Sequence, residues 1–393
     1  MEYIKTLASE QFDYMISIRR ELHQYPELSF QEFQTASRIK RELDKFGIPY
    51  QSVAKTGIIA KIVGSLPGKT IALRADMDAL EIDEGASKSE FHSKNKNVMH
   101  ACGHDLHMAA LLGAAKILLE QRDQIQGTVL LIFQPAEERV AGAKAMLSEA
   151  PFLRSVDGIF GVHIMPEYPA GQVFCRPEGL KLAGEGFTIH VEGVAGHGAM
   201  PHEAVDALLA GSAIVLQSQY IISHEIDPKD PAVLTICTMQ AGTRSNVIAG
   251  QAELSGTFRA YSKEMIEQIR KSLTRVAETT AQTYGATATV EYQGYVPPVW
   301  NDANLHRLVT NAAEKICGPE NVQVAPICTA GDDFSFYTEY VPGYYLLVGC
   351  GNRNGEIEPT ASVHTPDFWA DESCLPVMAG CYAQVAIDFL SMT

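Results

Sequence analysis

The sequence predicts an α/β protein: a mostly parallel mixed sheet flanked by helices, with an inserted ferredoxin-like α+β unit. Three observations predict it. Apolar runs of strand length alternate with helical patterns through the first 180 or so residues. Charged and imidazole side chains fall where those runs stop, which is the ligand end of such sheets. Near Gly184 the pattern changes to strand, helix, strand, strand, helix, strand over about 110 residues.

Met1 to Phe46 places apolar residues at helical spacing, broken at Tyr25-Pro26-Glu27. Gly57 to Val63, Thr70 to Ala75, Thr128 to Phe133 and Gly158 to His163 read as strands. Between them Leu106 to Gln121, rich in Ala and Leu, reads as a helix. In the inserted unit Phe187 to Glu192 alternates as a half-exposed strand, and a Gly-rich turn then holds His197. A helix over Glu203 to Ile222 follows, then strands Ala232 to Met239 and Gln251 to Ala260. A helix over Ser262 to Thr283 and a strand over Thr287 to Tyr292 complete the unit. Pro297-Pro298 and Asn301-Asp302 mark the return to the first domain. Asp302 to Ile316 resumes as helix, Tyr344 to Val348 as buried strand, and Asp371 to Leu390 as the closing helix.

The bulk numbers bound the function. A chain of 393 residues with 46% hydrophobic content can bury a sizeable core in one large or two ordinary domains. A mean hydropathy of -0.03 is that of a soluble protein. The formal charge of -16 argues against nucleic acid or anionic lipid as the main partner. The first residues lack the layout of a signal peptide, and no run reaches the ~18 apolar residues of a membrane span. Eight scattered cysteines form no disulfide framework and point to a reducing cytoplasm.

The chemistry concentrates in Met99-His100-Ala101-Cys102-Gly103-His104-Asp105, read with Glu137-Glu138, His163 and His364. Cys102 and His104 alternate along the chain, so extended backbone points both side chains one way. A thiolate, imidazoles and carboxylates together form a donor set for divalent ions. Glu137 and Glu138 follow an apolar strand, and consecutive side chains diverge. One can bind a metal while its neighbour moves protons for a hydrolase. His100, His107, Asp76 and Asp78 suit supporting positions around such a set. In Gly196-His197-Gly198-Ala199-Met200-Pro201-His202, a flexible loop presents an imidazole suited to stabilising an oxyanion on domain closure. Asn246 and Arg259 are candidate carboxylate anchors.

Several runs carry a resemblance. They are Arg20-Glu21-Leu22-His23-Gln24-Tyr25-Pro26-Glu27-Leu28-Ser29, Arg74-Ala75-Asp76-Met77-Asp78-Ala79-Leu80, the Cys102-Gly103-His104 run, Gln134-Pro135-Ala136-Glu137-Glu138, the His197 loop and Gly256-Thr257-Phe258-Arg259. In this order, over nearly the whole chain, they resemble the aminoacylase, hippurate-hydrolase and auxin-conjugate-hydrolase branch of the co-catalytic, two-metal metallopeptidase family. The resemblance implies Cys102, His104, Glu138, His163 and His364 as ligands of two divalent ions. It implies Glu137 as general base, His197 as a lid histidine acting at its own or a partner's site, and Asn246 and Arg259 at the substrate. It also implies a catalytic domain in two parts, 1–182 and 296–393, around a lid of 183–295 through which the chain forms a homodimer or homotetramer. Thiolate and imidazole donors favour Zn, and Mn, Co or Ni also suit the mixed set. The expected activity is hydrolysis of small N-acyl amino acids. A dipeptidase or carboxypeptidase on the same fold, a metal-binding protein without catalysis and a cysteine-nucleophile hydrolase are the alternatives. Two positions depart from the family pattern: Asp332 stands where relatives carry Glu, and the Glu84 to Asn97 loop lacks a Pro.

Overall fold

Strands buried on both faces read as continuous apolar runs, and the chain's longest such runs lie at the middle of its largest sheet. The computed structural model describes residues 3–84, 90–352 and 361–392, so 85–89 of the loop lacking Pro lie outside the described residues. The chain forms two units. One comprises Met1–Leu180, Trp300–Pro326 and Asp332–Thr393, and the other comprises Lys181–Val299 and Ile327–Gly331.

The first unit holds an eight-stranded mixed sheet. Its order is Tyr50–Val53, Gly57–Val63, Gln126–Gln134, Leu66–Asp76, Gly158–Pro169, Gly343–Gly351, Val173–Cys175 and Val322–Val324. The centre is parallel: Leu66–Asp76 runs parallel to Gln126–Gln134 and to Gly158–Pro169, which in turn runs parallel to Gly343–Gly351. Antiparallel joins flank it at Gly57–Val63 and at Val173–Cys175. Three flanking strands, Tyr50–Val53, Val173–Cys175 and Val322–Val324, are too short to show a period, and the sequence pattern does not predict them. The Gly158 strand continues past His163 to Pro169, because Leu347 pairs with His163 and the ladder runs on.

Helix His104–Glu120 is buried on nearly all sides, as expected of a helix that is apolar all round. It packs against helices Phe12–Gln24 and Leu375–Leu390. Gly103 precedes it with φ +78°, and a Cβ there would stand 2.7 Å from Ile164 Cγ1. Backbone freedom and close approach therefore both require glycine where the chain turns into the helix. Glu372–Leu390 has the length and hydropathy of a membrane span, yet 72% of that window is buried inside the protein. Its apolar character serves the core.

The second unit is a four-stranded antiparallel sheet ordered Ala232–Ala241, Gln251–Ala260, Ala183–Glu192 and Thr287–Val296. Helices Ala207–Tyr220 and Lys263–Thr283 pack on it. Phe187, Ile189, Leu254, Phe258, Ile266 and Leu273 form the core between sheet and helices. The helix expected from Glu203 starts at Ala207, because the Asp206 carboxylate accepts from the amides of Leu208 and Leu209 and caps it there. Ser262 caps the second helix through the Met265 amide, 3.3 Å away.

Candidate metal centre

The centre is assembled where the parallel strands of the first unit end. Strand Leu66–Asp76 delivers Asp76 and then Asp78. Strand Gln126–Gln134 delivers Glu137 and Glu138, Gly158–Pro169 carries His163, and His104 opens the buried helix. His364 reaches the same place from the chain before the last helix. It is held in a left-handed conformation, φ +63°, by its amide donating to Ala101 O at 2.8 Å.

The donor atoms point at one another. Cys102 Sγ lies 3.5 Å from His163 Nε2, and His163 Nδ1 donates to Ile164 O at 2.7 Å, leaving the ring's basic nitrogen toward the thiol. His104 Nδ1 donates to Asp78 O at 2.8 Å, which likewise leaves its Nε2 as the basic nitrogen. That Nε2 is 3.8 Å from Glu138 Oε1, and Glu138 Oε1 is 3.3 Å from His364 Nε2. Two overlapping sets, Cys102–His104–His163 and Cys102–Glu138–His364, each have donor atoms within 4.8 Å of one another and share the thiol.

These residues fit divalent ions. Among the described residues His104 Nε2 and Glu138 Oε1 are buried yet have no hydrogen-bond partner, an arrangement that costs free energy unless something else binds them. Burial pushes the Cys102 thiol up to about 12, and an adjacent cation would convert it to thiolate. Negative charge is also in excess. Asp76, Asp78, Glu137, Glu138, Asp332 and Asp333 crowd the region, and against them stands the buried Arg74 guanidinium. Arg74 contacts Asp76 Oδ2 at 2.5 Å, Asp333 Oδ1 at 2.8 Å and Gln134 Oε1 at 3.0 Å.

The Glu137–Glu138 pair sits on a strained turn, with Ala136 and Val140 at φ +53° and +52°. Other carboxylates hold it. Asp78 accepts from the amides of both Glu137 and Glu138, at 3.0 and 3.1 Å, and from Ser29 Oγ at 2.7 Å. Glu32 accepts from the Ala136 amide at 3.0 Å and from Thr56 Oγ1 at 2.5 Å. Asp333 accepts from the Ala143 amide and from Gln134 Nε2, one on each flank. Burial, then the charges of Asp332, Asp333 and Glu138, hold the Glu137 carboxyl well above the usual carboxylate range. Sequence reading places Asp78 in support but misses the grip of Glu32 and Asp333. Each comes from a segment far along the chain, and no spacing rule connects them.

His107 spans Asp76 Oδ1, at 2.6 Å, and the Ile164 amide, at 3.1 Å, so both ring nitrogens are engaged. It braces the site and has no lone pair to offer. His100 is buried, and neither of its ring nitrogens has a hydrogen-bond partner among the described residues.

His197, Asn246 and Arg259 all lie in the second unit. Gly196–His197 pairs with Val247–Ile248, and the Gly198 amide donates to Asn246 O at 2.9 Å, so His197 and Asn246 occupy neighbouring loops and are both exposed. Arg259 does not join them. It sits at the far end of the Gln251–Ala260 strand, on the order of 25 Å from Gln251 at ~3.3 Å per residue.

An α/β sheet with thiolate, imidazole and carboxylate donors at its strand ends, and a second carboxylate beside them, defines a metallohydrolase. The chain matches the model of peptidase family M20/M25/M40 over residues 72–388, and it belongs to that family. That makes it a hydrolase. It is 40% identical over 386 residues to an IAA-amino acid hydrolase, ILR1-like 4, of Arabidopsis thaliana, covering 96% of this chain and 86% of that protein. It is 39% identical over 378 residues to an N-acetylcysteine deacetylase of Bacillus subtilis, covering 96% and 97%. Among solved structures, it superposes on a dinuclear metal-binding peptidase of the same family from Bacillus subtilis. The TM-score there is 0.86 at 36% identity, covering 98% of this chain and 100% of that one.

Proposed function

We propose that this chain hydrolyses the amide bond of N-acyl amino acids, releasing a carboxylic acid and a free amino acid. The observation that carries the reading is the Glu137–Glu138 turn. One carboxylate faces the buried donor atoms, and its neighbour stands beside them with raised proton affinity. The names of the two curated relatives, an amino-acid-conjugate hydrolase and a deacetylase, support the same bond.

Cys102, His104, Glu138, His163 and His364 hold two divalent ions in this reading, with Zn preferred by the donors and Mn, Co or Ni compatible. The ions supply Lewis acidity, polarising the scissile carbonyl and making a water more acidic. Glu137 takes a proton from the attacking water and gives it to the leaving nitrogen, which suits a carboxylate of raised proton affinity. For the free carboxylate of the substrate, Arg259 offers a planar guanidinium fork and Asn246 a side-chain amide. His197 donates to the oxyanion. Free thiols throughout the described residues agree with a reducing, cytoplasmic setting.

Arg259 and the His197–Asn246 loops belong to opposite ends of the Gln251–Ala260 strand, which is on the order of 25 Å long at ~3.3 Å per residue, farther than a small N-acyl amino acid reaches. The complete set therefore draws on two copies, with His197 serving a partner's centre. Exposed Leu208, Leu209, Leu216 and Tyr220 along helix Ala207–Tyr220, beside the sheet-edge strand Ala232–Ala241, support self-association of this unit. Mixing Glu137→Gln with His197→Ala protein is then expected to restore activity in hybrid dimers, where one site has both groups intact. No rescue despite demonstrated subunit exchange would place His197 in its own chain's site or outside the reaction.

A panel of N-acetyl, benzoyl and indoleacetyl amino acids, run beside free-amine dipeptides and C-terminally extended peptides, tests the activity itself. Release of amino acid from the acylated set is the expected result. Turnover confined to dipeptides or longer peptides would make it a peptidase, and no turnover with ions bound would make it a metal-binding protein.

A further inference from the structure

We propose that Gly184 and Thr257 are positioning residues that seat the Arg259 guanidinium as a fixed fork for the substrate carboxylate. The inference rests on the reading of Arg259 as that anchor.

Arg259 and Gly184 are cross-strand partners in the antiparallel ladder, so their side-chain positions share one face of the sheet. The arginine folds back across its partner. A Cβ on Gly184 would stand 2.2 Å from Arg259 Nη1, 2.7 Å from Cζ and 2.9 Å from Cδ. The guanidinium thus occupies the space that any other residue at 184 would fill. Thr257 fixes its rotation from the same strand and face. Arg259 Nη1 donates to Thr257 Oγ1 at 2.9 Å and to Phe258 O at 3.2 Å. Thr257 Oγ1 in turn donates to Glu185 O at 3.0 Å, which orients its lone pairs toward the arginine.

Both hydrogen bonds of the guanidinium within the described residues use Nη1. The Nε–Nη2 edge is the one left for a bidentate carboxylate. Gly186, two residues along on the same face, places no side chain of its own beside the fork, and Gln293 O and Cγ lie 3.4 and 3.6 Å from where its Cβ would stand. A half-buried arginine would otherwise sample many rotamers. Seating it beforehand lowers the ordering cost of carboxylate recognition.

The substitution that tests this spares the fold. Gly184 lies in ordinary strand conformation, and the atoms a methyl group would meet belong to a flexible side chain that can move aside. Gly184→Ala should fold and displace Arg259. The readout is the preference, in kcat/KM, for an N-acetyl amino acid over its C-terminal carboxamide. A charge-assisted fork is worth ~10- to 100-fold there.

Arg259→Ala should collapse that preference. Gly184→Ala and Thr257→Val should each lower it at least ~5-fold, mainly through KM, and Thr257→Ser, which keeps the hydroxyl, should retain it. Should Gly184→Ala fail to fold, the Thr257→Val and Thr257→Ser pair decides alone. Loss of preference in Arg259→Ala with wild-type preference in Gly184→Ala and Thr257→Val would overturn the seat. Wild-type preference in Arg259→Ala would overturn the anchor itself.

Discussion

Glu137→Gln is expected to lower kcat by at least ~10²-fold while bound metal stays at the wild-type level. The substitution keeps size and shape and removes the ability to carry a proton. Glu137 is buried against Asp332, Asp333 and the Glu138 carboxylate, all of which disfavour its negative charge. A group in that setting holds a proton readily once it has taken one, as delivery to a leaving nitrogen requires. Its backbone is fixed by Asp78 independently of its side chain, so the turn should survive the change. Steady-state kinetics with metal analysis of the same sample checks the prediction. Turnover within a few-fold of wild type would remove Glu137 from the reaction, and loss of metal would make it a ligand.

Stripping the divalent ions is expected to abolish turnover, and adding back one ion type at a time should restore it to differing degrees. The dependence is electrostatic. Without ions, the crowded carboxylates have the buried Arg74 guanidinium beside them, and His104 Nε2 and Glu138 Oε1 lack a hydrogen-bond partner among the described residues. The same state leaves Cys102 as a neutral thiol, since burial pushes it up to about 12. A neutral thiol is a poor nucleophile, which separates this account from cysteine catalysis. Activity that survives exhaustive chelation but is lost on alkylation would favour the cysteine mechanism instead.

How much of this was legible in the sequence depends on whether a feature is local. The central strands and the buried helix after Gly103 announce themselves, because each is a run of apolar residues with its own period or length. The candidate donors could be named for a related reason. Cys102-Gly103-His104 and Glu137-Glu138 are short motifs whose residue types suit metal binding and proton transfer. Asp78 was legible as a supporting residue, but the grip of Glu32 and Asp333 on the Glu137 turn was not. They reach it from two distant segments, and nothing in Gln31-Glu32-Phe33 distinguishes a buried clamp from a solvated helix start. The seat of Arg259 was hidden in the same way. Gly184 reads as a boundary glycine until the ladder sets it opposite Arg259. The short strand Val173–Cys175 escaped because three residues cannot show alternation.

The central claim is that Cys102, His104, Glu138, His163 and His364 would hold two divalent ions. Anomalous diffraction from crystals of the metal-loaded protein tests it most directly. The account predicts two ions, with Cys102, His104, Glu138, His163 and His364 within ~2.0–2.6 Å ligand range and Glu137 unligated. Two of the five side chains lying far outside that range in a fully loaded crystal would contradict it.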